Sequence, residues 1–214
     1  MKPAKHVSII IAFAGALLLG SGTAQAQQAP VAEGGLIGRH FAGFDLTYDH
    51  YSSAAIGYTF GVAATLNQPI NEKIDVSFGY DLAGNNDSVH GLNHNALHGT
   101  VLTYQHTEYG NAYFAGTLGQ SWDRVKTSGV LSRKDDAYWA LSTGYEVPIN
   151  ATTAINAGLT YRAPFPGNSK TLQYRLEANH WFSSELAGVV SISYNQISHS
   201  PDTMLYTAGL RWAL

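Results

Sequence analysis

The sequence predicts an all-β protein: a single transmembrane, antiparallel, up-and-down β-barrel of about ten strands, with eight as the nearest alternative. Three observations carry this. Residues alternate between apolar and small or polar character with a period of two, along one segment after another. The connectors between these segments alternate in length, short then long. Charged residues make up only 13% of the chain against 22 glycines and 13 tyrosines, a surface poor in charge and rich in amphipathic rings.

The N-terminal end stands apart from this pattern. Lys2 and Lys5 precede an apolar run from Val7 to Leu19, and Ala24-Gln25-Ala26 follows, the layout of a secretory signal peptide over residues 1–26. Gln27 to Gly35 reads as a short periplasmic leader and residues 36–214 as the barrel. Setting the two leader lysines aside from the 12 basic residues leaves 10 against 15 acidic ones, a net charge of −5. That balance offers no basic footprint for nucleic acid. With no cysteine, neither a disulfide nor a thiolate metal site can form, and no motif calls for a cofactor.

The strands follow in order. Leu36 to Tyr48 sets Phe44, Leu46 and Tyr48 against Asp45 and Thr47. Ala54 to Leu66 has the cleanest alternation, with Ile56, Tyr58, Phe60, Val62, Ala64 and Leu66 on one face. The third runs from Ile74 to Leu82, with Val76, Phe78 and Tyr80 between. Leu97 to His106 alternates poorly and is held as a strand by the count, with Leu102 and Tyr104 as its outer face. Ala112 to Trp122 presents Phe114, Leu118 and Trp122; Ala137 to Val147 presents Trp139, Leu141 and Tyr145. Thr153 to Arg162, Thr171 to Phe182, Leu186 to Gln196 and Thr203 to Leu214 complete the set.

Even-to-odd connectors are short: Asn67 to Lys73, Thr107 to Asn111, Pro148 to Thr152 and Ser183 to Glu185. Odd-to-even connectors include Ala83 to Ala96, Asp123 to Asp136 and Ala163 to Lys170, polar stretches suited to an exterior. The exception is Asp49 to Ser53, which is short. In this arrangement Tyr48, Tyr58, Tyr80, Trp122, Trp139, Tyr161, Tyr174, Tyr194 and Tyr206 point outward near the external strand ends, as one aromatic girdle. Trp212 joins the opposite girdle. A lipocalin-like soluble barrel would carry many Lys and Glu on its water-facing side, whereas the non-aromatic face here is Gly, Ala, Ser, Thr and Asn with scattered charges, which suits a crowded polar lumen.

The last strand, T-M-L-Y-T-A-G-L-R-W-A-L, places Met204, Tyr206, Ala208, Leu210, Trp212 and Leu214 on one apolar face. It resembles the closing strand of a Gram-negative outer-membrane β-barrel, of the small OmpA- and OmpX-like class, although members usually finish in Phe or Trp. The resemblance implies location in the outer membrane, contact with its lipid and lipopolysaccharide, recognition of the C-terminal strand by the barrel-assembly machinery, and an extracellular partner of unknown identity.

The candidate site is the inward charge set: Arg39, Asp45, Asp75, Asp81, Glu146, Arg162, Arg175, Glu177 and Arg211. Both signs are present, so the residues can pair across the bore, either as a packed polar core or as a pore lining. Arg39 and Arg211, on neighbouring first and last strands, are expected to share acids such as Asp75 or Glu146. Other clusters are weaker. His90, His94 and His98 have helical metal-ligand spacing but lie in a loop entering a strand, with His50 and Asp49 at the same mouth. Ser198, His199, Ser200 and Asp202 share one loop without the rigid wall a catalytic serine needs. Asp135 and Asp136 point to opposite faces. The sequence therefore predicts a non-enzymatic barrel with a mostly occluded lumen and a structural or surface-interaction role through its external loops. A narrow channel is the alternative, and a lipid A-modifying or protease-like barrel enzyme comes third.

Overall fold

A computed structural model describes residues 34–52, 57–85, 90–165 and 167–214. The expected signal peptide, the leader up to residue 33 and residues 54–56 of the expected second strand lie outside these. Ten strands follow one another: β1 (Phe41–Tyr51), β2 (Tyr58–Asn71), β3 (Ile74–Gly84), β4 (Gly91–Thr107), β5 (Gly110–Thr127), β6 (Val130–Asn150), β7 (Thr153–Phe165), β8 (Thr171–Trp181), β9 (Leu186–Ile197) and β10 (Thr203–Ala213). Each pairs antiparallel with its neighbour and β1 closes on β10, from Phe41 opposite Ala213 to Tyr51 opposite Thr203. The eight-strand alternative is thereby excluded.

The pairing fixes the geometry of the wall. Traced from Tyr48 through Phe60, Gly84, Asn93 and Arg124, it reaches Arg133 on β6. Traced the other way, through Tyr206, Ile192, Leu176 and Ala157, it reaches Tyr145. The offset, 145 less 133, is a shear of twelve residues, which with ten strands inclines them by about 40°. The β6 residue level with Tyr48 lies midway, at Trp139.

The outer face is apolar and uncovered. Leu46 is 59% exposed, Phe60 62%, Leu118 62% and Val190 58%, a belt that is stable only against lipid. Its upper part holds touching rings: Tyr48 lies 5.1 Å from Phe60 and 6.1 Å from Tyr206, Trp139 5.5 Å from Tyr161, and Tyr174 stacks on Tyr194 at 6.4 Å.

One end of the barrel carries both terminal strand ends and four tight turns, each nucleated by its own sequence. Asn71 accepts the Lys73 N–H at 2.9 Å, Asn150 the Thr152 N–H at 2.9 Å, Thr107 the Tyr109 N–H at 3.3 Å, and Ser183 the Glu185 N–H at 3.2 Å. These side chains mimic a backbone turn and fix the reversal locally. Two of these turns follow a register shift, at Pro69/Asn71 and Pro148/Asn150, where proline cannot donate to the ladder.

Four expectations are corrected. Tyr104 and Leu102 face inward: Leu102 is opposite Asp75, and Tyr104 is only 4% exposed. The stretch Asp123 to Asp136 is not a loop but the continuation of β5 and β6 into a hairpin, closed by Ser128 (φ 50°) and Gly129 (φ 80°). Two successive positive φ values give the turn whose twist matches a β-hairpin. Likewise β4 begins at Gly91, within the expected loop Ala83 to Ala96. Finally, β1 starts at Phe41 rather than Leu36, because residues 34–40 turn into the bore.

Candidate functional site

Residues 34–40 fill the turn end of the bore, and the inward side chains there are spent on holding them. Glu146, 1% exposed, accepts the Leu36 N–H through Oε2 at 2.9 Å and the Asn111 amide through Oε1 at 3.1 Å. Asp75 accepts the Gly38 N–H at 2.8 Å and the Asn67 amide at 3.2 Å, while the Asn67 amide also reaches the Arg39 carbonyl at 2.8 Å. The Asn179 amide donates to the Gly34 carbonyl, and the Trp181 indole donates to the Gly35 carbonyl at 3.3 Å. Leu36 packs with Phe41, Trp181, Ala187 and Val189 beneath this layer.

The glycines of this segment are steric requirements. A Cβ on Gly35 would lie 2.2 Å from Glu146 Oε1. Gly34 and Gly38 have φ of +86° and +79°, and a Cβ on Gly38 would meet the Tyr104 hydroxyl at 2.9 Å. The chain enters the bore only because three of these positions lack side chains.

Above the segment, Arg211 forms a two-pronged pair with Asp45, at 2.7 and 3.0 Å, with both side chains 9% exposed. Arg175 and Glu177 approach to 3.5 Å. Arg39 and Arg162 meet rings instead of acids: Arg39 lies 4.4 Å over Trp181, and Arg162 lies 3.6 Å over Tyr138. Asp81 stands 3.4 Å from His98. The expectation that Arg39 and Arg211 share Asp75 or Glu146 is thus replaced by separate partners, because those two acids hold backbone.

Sequence reading missed the inward aromatics. Tyr138 lies over Gly119, where a Cβ would stand 2.3 Å from its ring, and Tyr113 lies over Gly144 and Gly158 while donating to Asn156 at 3.0 Å. Strand parity alone puts Tyr113, Tyr138 and Trp181 on the inner face, and bare glycines on the next strand mark where the Tyr113 and Tyr138 rings lie.

The remaining clusters take other roles. His94 and His98 both face the bore from β4, four residues apart and so about 13 Å along the strand. Each turns to an acid on an adjacent strand, His94 to Asp123 at 2.5 Å. They cannot share one ion, and among the described residues no group of three metal-ligating side chains assembles. Asp202 accepts from the Tyr194 hydroxyl at 2.7 Å and the Ile197 N–H at 3.1 Å, while Ser198 bridges to Lys170 N at 2.6 Å and the Asn168 carbonyl at 3.3 Å. Those groups therefore brace turns. Asp136 pairs with Lys134 at 2.6 Å, and Asp135, one residue away, faces outward.

No protein-family model matches the sequence, and no curated protein matches it. Solved structures do. An outer membrane channel from Pseudomonas putida F1 aligns at TM-score 0.50 and 9% identity, over 90% of this chain and 99% of that one. The beta domain of the Bordetella autotransporter BrkA aligns at 0.48 and 11%, over 82% and 99%. Neisserial surface protein A aligns at 0.46 and 14%, over 81% and 96%. At these identities the likeness is one of fold. Taken with the uncovered apolar belt, the fold defines a β-barrel of the Gram-negative outer-membrane class.

Proposed function

We propose that this is an outer-membrane barrel closed at its turn end by its own N-terminal segment, acting as a structural or surface-interaction protein through the opposite end. The observation that carries this reading is the seating of residues 34–39 on Glu146, Asp75, Asn179 and Trp181. A ten-strand bore is only slightly wider than those filled by side chains, and a second strand of chain within it leaves little room for water. The reading assigns no catalytic group.

A second reading, a narrow channel gated by this segment, is favoured by Arg175, whose side chain is 41% exposed in the mid-bore. Conductance in planar bilayers separates the two. The purified protein is expected to be silent, while a variant lacking residues 34–40, or the double variant E146A/D75A, conducts. Folding of each is checked by heat-modifiable migration in gels. Ion-selective steps from the unaltered protein that change with R175A would overturn the closed-bore reading.

A further inference from the structure

Among the described strands, nearly every charged residue faces the bore. The exceptions sit on one hairpin: Arg124 and Lys126 on β5, Arg133 and Asp135 on β6. Arg124 stands directly opposite Arg133, and like charges at such a position repel. Neither forms an ion pair within 4.0 Å. Asp135 is set opposite Trp122, one outward step below Arg133. Asp135, the one acid on this face of the hairpin, is in ion-pair contact with neither guanidinium, so an anion from outside the chain would relieve the repulsion.

Its height says which anion. Arg133 is six residues above Trp139, the ring level with Tyr48, which puts the pair roughly 12–15 Å above the aromatic girdle on strands inclined by about 40°. This is above the acyl boundary and beside the headgroups. Below Arg124 the outer wall is grooved, a volume of about 920 Å³ bordered by Leu46, Phe60, Val62 and Leu82 with Arg124 among its lining residues. An apolar groove leading up to guanidinium groups fits one molecule with acyl chains and a phosphorylated head.

We infer that Arg124, Lys126 and Arg133 form a binding site for the phosphorylated sugar head of lipopolysaccharide, with an acyl chain along the groove. Guanidinium forks bind phosphate oxygens in pairs, and two forks side by side can hold one phosphate between them. This rests on the reading that the loop end faces the cell exterior, where that lipid forms the outer leaflet.

The test is titration of the folded protein in detergent with diphosphorylated lipid A, monophosphorylated lipid A and phosphatidylglycerol, followed by native mass spectrometry. The diphosphorylated lipid is expected to bind best, and R124Q/R133Q to weaken it about tenfold or more, as loss of charge-assisted bonds implies. The R175A variant, altered inside the bore, serves as control and is expected to bind normally. Equal binding to R124Q/R133Q, or equal binding of phosphatidylglycerol, would overturn the site. Orientation is read separately from S128C, whose thiol should react with an impermeant reagent on intact cells. If S128C is protected while lipid A binding keeps its dependence on phosphate, the orientation fails and the inferred partner with it.

Discussion

Across the seam between β1 and β10 each member of the central ion pair faces a glycine: Asp45 is opposite Gly209, and Arg211 is opposite Gly43. A Cβ on Gly209 would stand 1.8 Å from Asp45 Oδ1, and one on Gly43 would stand 2.8 Å from the Arg211 Cδ. The charges can lie diagonally over the wall because nothing projects beneath them. Removing one partner strands a buried charge, so R211M alone is expected to cost about 3–5 kcal/mol, whereas D45L/R211M should recover most of that loss. Urea midpoints of the refolded barrel measure both, and a double variant as unstable as R211M would contradict the account. Parity along the strands reveals that these residues face inward. Their partners it does not: Arg162 finds a ring on the adjacent strand, while Arg39 finds a ring and Asp75 and Glu146 find backbone because of the position of a segment that has no periodicity.

At the level of elements, period two is legible wherever one face of a strand meets lipid, as in β2 and β10. It fades where both faces meet water, which is why the β5–β6 hairpin above the girdle reads as a loop. In β4 the apolar Leu102 and Tyr104 suggest an outer face, but they serve the inner packing around Asp75 and Gly38. Residues 34–40 carry only spaced glycines as a signal, and their burial depends on acids more than thirty residues away. The turn between β9 and β10 is a local element with its own test. Hydrogen bonds from Tyr194 and Ile197 hold the Asp202 carboxyl below the usual carboxylate range. Because the folded-state value is depressed, its bracing is complete above the ordinary pKa near ~4 and is lost as pH falls through the lower folded value. The protection factor of the Ile197 amide, its exchange relative to the intrinsic rate at the same pH, should therefore be high at neutral pH and fall in acid, with D202A low throughout. A wild-type protection factor with no acid step would remove Asp202 from this role.

For the molecule as a whole, closure into ten strands follows from hairpins in sequence order with a last strand that pairs with the first, which is why the architecture was readable before any side-chain contact. The proposed orientation rests on asymmetry between the two ends. The turn end has connectors braced by Asn, Thr and Ser and a bore filled by residues 34–40. The other end carries the β5–β6 hairpin and the exposed Lys170, as expected of a face turned outward by a barrel with periplasmic termini. Proteolysis is a poor probe of this, because Arg124, Lys126 and Arg133 lie in paired strands that resist an active-site cleft. Amine chemistry is better, since among the described residues Lys73 is the only lysine at the turn end, whereas Lys126, Lys134 and Lys170 are at the other. A membrane-impermeant amine reagent applied to intact cells should modify Lys170 and Lys134 and spare Lys73. Opening the outer membrane should then expose Lys73, which is itself solvent-accessible in the folded barrel. Modification of Lys73 on intact cells with protection of Lys170 would invert the barrel, putting the Arg124–Arg133 pair at the periplasmic leaflet and residues 34–40 at the outer mouth.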